Sequence, residues 1–308
     1  MLAVIAALVP VFLLIATGFA LRRWLIQQDA HWIGLERILY YVMFPALLVE
    51  SLSRADLAKV PVLAVGGTLL TAVFLMSALC LALRPLLGRH LGTSDATFTS
   101  LFQGATRWQT FVALAVAGNL YGDLGLALAS VAMVAMIPVL NALAVWVLAR
   151  YATPTRPDWR SVALVIVQNP FIWACGIGLA LNPLAAWIPG PAHAFVDALG
   201  RSSLALGLLI VGAGLRVGEL IHPNATMFLA CALKLIVMPA IAIAIGMALG
   251  LSGTNLAVVA CCASVPASSN SYVLARQMGG DAPLMAQILT VQTALAAVTM
   301  PVVLSLVS

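Results

Sequence analysis

Charge is what this sequence has least of. Asp, Glu, Lys and Arg make up 8% of its 308 residues, against roughly a quarter in a soluble domain. Hydrophobic residues make up 63%. A water-soluble core of this length cannot hide so much apolar surface, so the composition excludes a soluble enzyme and fits lipid as solvent. The net charge of +5 is spread singly through short loops. No basic stripe with interleaved aromatics exists, which excludes nucleic acid as a partner. Metal-ligand spacing is also missing. Cys80, Cys175, Cys231, Cys261 and Cys262 all lie inside apolar runs, and His31, His90, His193 and His222 are scattered. They imply no disulfide framework, no zinc site and no cofactor. No nucleophile–base pair or paired acids lie at depth, so an intramembrane enzyme is not expected. No basic stretch precedes the first apolar run; Arg22 and Arg23 follow it. That polarity does not suit a cleaved signal peptide. It suits a first span whose C-terminal end faces the cytoplasm.

What is there is a succession of apolar segments. At about 20 residues per crossing, the chain accommodates ten. They are predicted at 2–21, 38–53, 60–83, 96–120, 124–149, 161–181, 199–215, 225–250, 255–275 and 283–307. A polar linker, 150–160, carries Pro154 and Pro157 and separates a first five-helix unit (1–149) from a second (161–308). The loops after the odd-numbered segments hold Arg22, Arg23, Arg37, Arg84, Arg89, Arg150, Arg156, Arg160, Arg216 and Arg276; the other side holds Arg54, Lys59 and Arg201. The positive-inside rule then places the linker in the cytoplasm and both termini outside. The expected location is the inner (cytoplasmic) membrane, with the bilayer as obligatory partner.

Five spans per half is an odd number, so a duplicated unit must sit upside down relative to its copy. Two pairs of segments suggest such a duplication. Pro10, Gly18, Ala20 and Leu21 in segment one coincide at one offset with Pro170, Gly178, Ala180 and Leu181 in segment six. Gly122-Asp123 after segment four falls against Gly280-Asp281 after segment nine. Inverted repeats characterise secondary transporters, whose substrates bind near the midplane at interrupted helices.

Segments four and nine fit that description. Segment nine carries Pro266, Ser268, Ser269 and Asn270 at its centre. Pro266 removes a backbone donor, and the freed groups need partners because hydrocarbon supplies none. Segment four carries Gln103, Thr106, Arg107 and Gln109. A guanidinium at that depth costs about 2.5–3.5 kcal/mol on insertion scales. It should pair either with Glu50 at the end of segment two or with a substrate carboxylate, whose geometry it matches bidentately. Asn169-Pro170 reads either as a ligand group or as a helix start. Lys234 lies nearer the cytoplasmic end and reads as a snorkelling side chain. Asn141, Gln287 and Gln292 read as interhelical hydrogen-bond groups. Gly118/Gly122 and Gly246/Gly250 read as small-xxx-small helix contacts.

The order and spacing of several motifs resemble the auxin efflux carrier family, in its bacterial and archaeal branch. They are Asn169-Pro170 with Gly178-Leu179, the glycines at 207, 212 and 214, Lys234 with Pro239, the run Pro266 to Ala275, and Gly279-Gly280-Asp281. The resemblance spans nearly the whole chain. It implies an all-α integral membrane fold of ten transmembrane helices in two inverted five-helix repeats, with broken helices four and nine crossing at the midplane. It implies a scaffold of helices one, two, six and seven and a mobile transport unit of the rest. It also implies a carrier of small organic anions, such as malate or malonate, working by alternating access, coupled to a proton or to sodium, in a homodimer or alone. A sodium symporter of the bile acid type shares the fold and is the alternative; a sensor without net flux is another. One departure stands out. Many members carry an Asn-Thr-Gly-like stretch where this chain has Trp108-Gln109-Thr110 preceded by Arg107, which favours an anionic ligand and leaves its identity open.

Overall fold

The computed structural model describes residues 2–55, 61–152, 169–218 and 224–307. Every regular element among these is helical. That follows from the solvent, since in hydrocarbon a helix pairs its own N–H and C=O groups within one segment. The helices are α1 (Leu2–Trp24), α2 (Asp29–Ser53), α3 (Val62–Leu91), α4 (Asp95–Thr106), α5 (Thr110–Tyr151), α6 (Pro170–Leu181), α7 (Gly190–Ala213), α8 (Ala225–Ala248), α9 (Gly253–Ser264), α10 (Asn270–Gln277) and α11 (Ala282–Ser305).

Among the described residues, seven helical stretches are long and apolar enough to cross a membrane. One of them, Asp95–Tyr151, has 57 residues and would be roughly 85 Å long if straight, far beyond a hydrocarbon core of about 30 Å. It is interrupted between α4 and α5, and α5 bends at Gly122, whose φ of 58° and ψ of −143° only glycine adopts readily. Divided at that bend, and with the shorter apolar α6 and α9 counted, the described residues give ten helical stretches, consistent with a membrane protein.

Boundaries differ from expectation where polar residues sit inside helices. α2 begins at Asp29 rather than at 38, and α3 continues through Pro85 to Leu91. The Pro189-Gly190-Pro191 stretch, which falls between predicted segments six and seven, opens α7, because a missing N–H costs nothing in a first helical turn. Residues 153–168, with most of the linker, Arg156, Arg160 and the start of segment six, lie outside the described residues, as does Lys59. Gly122 and Gly250 are not packing residues; both have positive φ, at a bend and a helix end.

Two helices contain a π turn, Leu39–Met43 in α2 and Leu233–Val237 in α8. Each is followed by a proline, Pro45 or Pro239, in the next turn. A proline cannot donate to the carbonyl four residues back and its ring collides with it. Widening the preceding turn relieves that collision without ending the helix.

The helices pack in two groups. α1 lies along α7, and α2 lies against α6 and α7. α3, α4, α5, α8, α9 and α11 pack among themselves, with α10 against α4 and α11. α5 touches members of both groups. Gly18 of α1 and Gly212 of α7 allow the first contact: a Cβ on either would strike backbone of the facing helix, at Leu209 and Ile15. Gly178 of α6 faces Val49 and Leu52 of α2 in the same way. An aromatic cluster, Tyr40, Phe44, Phe111 and Phe171, fills part of the seam between the groups.

Candidate functional site

Two helix breaks meet at this seam. α4 stops at Thr106 and Arg107 turns extended, with ψ of 159°. α9 stops at Ser264 and Val265 turns extended, with ψ of 152°. The half-helix before each break has 12 residues, and a glycine with positive φ follows each break, Gly122 or Gly279. Broken helices leave orphan backbone groups that must be paired. Here the Gln109 amide donates to the Pro266 carbonyl at 2.8 Å, so one break satisfies the other. The Gln109 side-chain amide donates to Ser269 Oγ at 3.1 Å. Gln292 of α11 completes the pairing. Its Oε1 accepts from the Ala267 amide at 2.9 Å, and its Nε2 donates to the carbonyls of Gly104 and Ala230 at 3.0 and 3.2 Å.

Arg107 projects from the first break and is 7% exposed. Its Nη2 donates to Asn141 Oδ1 at 3.0 Å. Its Nη1 is buried and has no hydrogen-bond partner. The guanidinium lines a cavity of about 70 Å³ between the two helix groups. Polar groups converge there from both breaks and from α5 and α6: Arg107, Thr110, Asn141, Asn169, Ser268 and Asn270. Tyr40, Trp108 and Phe171 supply aromatic walls. Such a few convergent polar groups in an otherwise apolar wall are the usual make-up of a small-molecule site.

A second cavity, of about 620 Å³, shares Asn270 with the first and also reaches Ser269. Arg22, Arg216 and Arg276 line it, with Asp29 and Glu36. Arg22 is paired with Asp29, and Arg216 lies over the Tyr272 ring at 4.5 Å. This cavity therefore joins the crossing to the face that carries the Arg-rich loops. An apolar groove of about 500 Å³ between α1 and α11 presents hydrocarbon side chains and has no part in the crossing.

The sequence-predicted residues divide three ways. Arg107, Asn169, Ser268 and Asn270 line the small cavity. Gln109, Pro266 and Ser269 hold the two breaks together. Gln103 and Thr106 lie on α4 away from it: Thr106 donates back to the Phe102 carbonyl, and Gln103 is fully buried with neither amide atom paired. Asn169 does both things weighed for it. Its side chain caps α6, accepting from the Phe171 amide at 2.9 Å, and it faces the cavity.

Two expectations need correcting. Glu50 does not pair with Arg107. It is held by His193 Nδ1 at 3.0 Å and Arg54 at 3.5 Å, because α2 turns its last turns toward α7 and away from the breaks. Lys234 does not snorkel. It has no exposure and its Nζ has no partner, because the elements around α8 enclose it on all sides. Asn141, Trp108 and Tyr40 were not singled out as site residues. Asn141 carried the only legible signal, an amide inside an apolar run.

The architecture is that of a multi-pass α-helical membrane protein. Residues 154–304 match the model of the family described as membrane transport protein, so the chain is similar to that family over that stretch. No curated protein matches the chain in sequence.

Proposed function

We propose that the chain is a secondary carrier of small carboxylates, malonate or malate in size, which bind at the crossing of the two helix breaks. The observation that carries the reading is Arg107: a buried guanidinium with one terminal nitrogen unpaired, facing a cavity flanked by hydroxyls and amides. Deep in lipid such a group needs an anion, and the one nearby acid weighed for it, Glu50, is engaged elsewhere. A cavity of about 70 Å³ suits a compact anion.

The position of the cavity supports alternating access. We take α1, α2, α6 and α7 as the scaffold and the other helices as the moving unit, with the cavity on the seam between them. The similar breaks, the paired positive-φ glycines, and the docking of Gly18 on α7 and Gly178 on α2 support an inverted duplication behind this arrangement. With the Arg-rich loops in the cytoplasm of a cell whose inner membrane holds the protein, both termini lie outside and the larger cavity is the inward-facing entrance.

The test is uptake of labelled malonate and malate into proteoliposomes by wild type and Arg107→Ala. Loss of transport in a variant that inserts and folds supports the reading. Unchanged transport by that variant removes Arg107 from the site. A strict requirement for a sodium gradient would shift the reading to a sodium symporter.

A further inference from the structure

Lys234, like Arg107, is a buried cation. Its side chain has no solvent exposure and its Nζ has no hydrogen-bond partner. It sits in the π turn Leu233–Val237 of α8, and such turns recur at functional sites. That turn packs against α4, α9 and α11. α9 offers the thiols Cys261 and Cys262, with Cys262 beside Lys234. α11 has no ionisable residue. α4 has only Asp95, at its far end and paired with Arg84. The remainder of α8 has only Cys231. No carboxylate on these elements opposes the amine.

The two buried cations differ chemically. A guanidinium does not shed its proton in a protein, whereas an amine can. Lys234 also adjoins the last turn of α9, whose break forms half of the crossing. An anion across that break and a proton on Lys234 stabilise each other, and by linkage the effect is reciprocal.

Building on the carboxylate reading of the crossing, we propose that Lys234 takes up one proton from water when the carboxylate binds and releases it when the carboxylate leaves. Amine plus proton becomes ammonium; no other bond changes. Anion and proton then cross together. The competing account is a permanent ammonium that only offsets the C-terminal carbonyls of α9.

The experiment measures proton uptake in weakly buffered detergent solution as malonate is added, for wild type, Lys234→Gln and Lys234→Arg. Wild type should take up close to one proton per anion, and both variants none. Malonate binding to wild type without proton uptake overturns the proposal, as does undiminished uptake in Lys234→Gln. If wild type binds neither malonate nor malate, the carboxylate reading fails instead. Lys234 is then judged without ligand. Lys59 and Lys234 are the lysines of the chain, so Lys59→Arg leaves one ε-amine to follow by nitrogen-15 NMR. A reversible change of charge between about pH 5 and pH 9 supports a proton site, and an ammonium that persists throughout overturns it, even if the Lys234 variants do not fold.

Discussion

The Gln109 amide and the Pro266 carbonyl, 157 positions apart by number (266 − 109), form a 2.8 Å hydrogen bond that joins the breaks of two different helices. Pro266 cannot donate, so α9 cannot continue through it. In Pro266→Ala the restored N–H would let α9 grow by a turn and draw this carbonyl away from Gln109. The expected result is a folded protein with roughly tenfold weaker malonate binding, the equivalent of about 1.4 kcal/mol or one hydrogen bond. Titration calorimetry reads it, and unchanged affinity would show that the break does not depend on this proline.

Arg107→Ala removes a charge-assisted pair worth about 1.5–3 kcal/mol per hydrogen bond, so carboxylate affinity should fall by roughly 10-fold to 150-fold. Arg107→Lys keeps the charge but not the planar fork and should fall between the two. Asn141→Leu leaves the guanidinium in place without its 3.0 Å anchor, and should weaken binding less than Arg107→Ala does. Uptake kinetics on the three variants check the order.

Gln292 pairs three backbone groups from three different elements. In Gln292→Leu each loses its partner, at about 1–3 kcal/mol apiece. A fall in thermal midpoint of several degrees is expected by fluorescence in detergent. Gln292→Glu retains the acceptor for the Ala267 amide and loses the two donors when ionised, so its midpoint should lie between wild type and Gln292→Leu.

Glu50 is expected to matter for stability and not for substrate. Glu50→Ala leaves His193 and Arg54 without their carboxylate, so the thermal midpoint in detergent should fall. Malonate affinity of the surviving folded protein should match wild type. A large loss of affinity would mean that Glu50 senses the crossing after all.

Gly212→Val should fail to fold, because a Cβ there collides with the Ile15 backbone, and the α1–α7 contact has no room to open. Gly67→Ala has nothing within 4 Å of its new Cβ and serves as the control. Monodispersity on size-exclusion chromatography distinguishes them.

What was legible in the sequence was whatever violates the hydrocarbon rule locally. Arg107 and Pro266 stand out in apolar runs, and both lie at the crossing. Partners were not legible. Asn141 is 34 positions from Arg107, and Gln292 bonds residues 25, 62 and 188 positions away; no local pattern encodes such meetings. Lys234 reads as a snorkelling side chain because sequence gives only its distance to a helix end. The walls that enclose it are built by α4, α9 and α11, separate elements of the chain. Helix starts were missed at Asp29 and Gly190, where charge or proline mimics a loop.

A main-chain hydrogen bond from Gln109 to Pro266 joins the helix breaks, with the side chains of Gln109 and Gln292 beside it. Side chains at 107, 268 and 270 surround that bond but do not make it. Exchanging them should leave that bond standing, so under the proposed carrier reading a new ligand would require only a handful of replacements around it. Under that reading, diversification of the ligand would be uncoupled from the integrity of the fold that holds it.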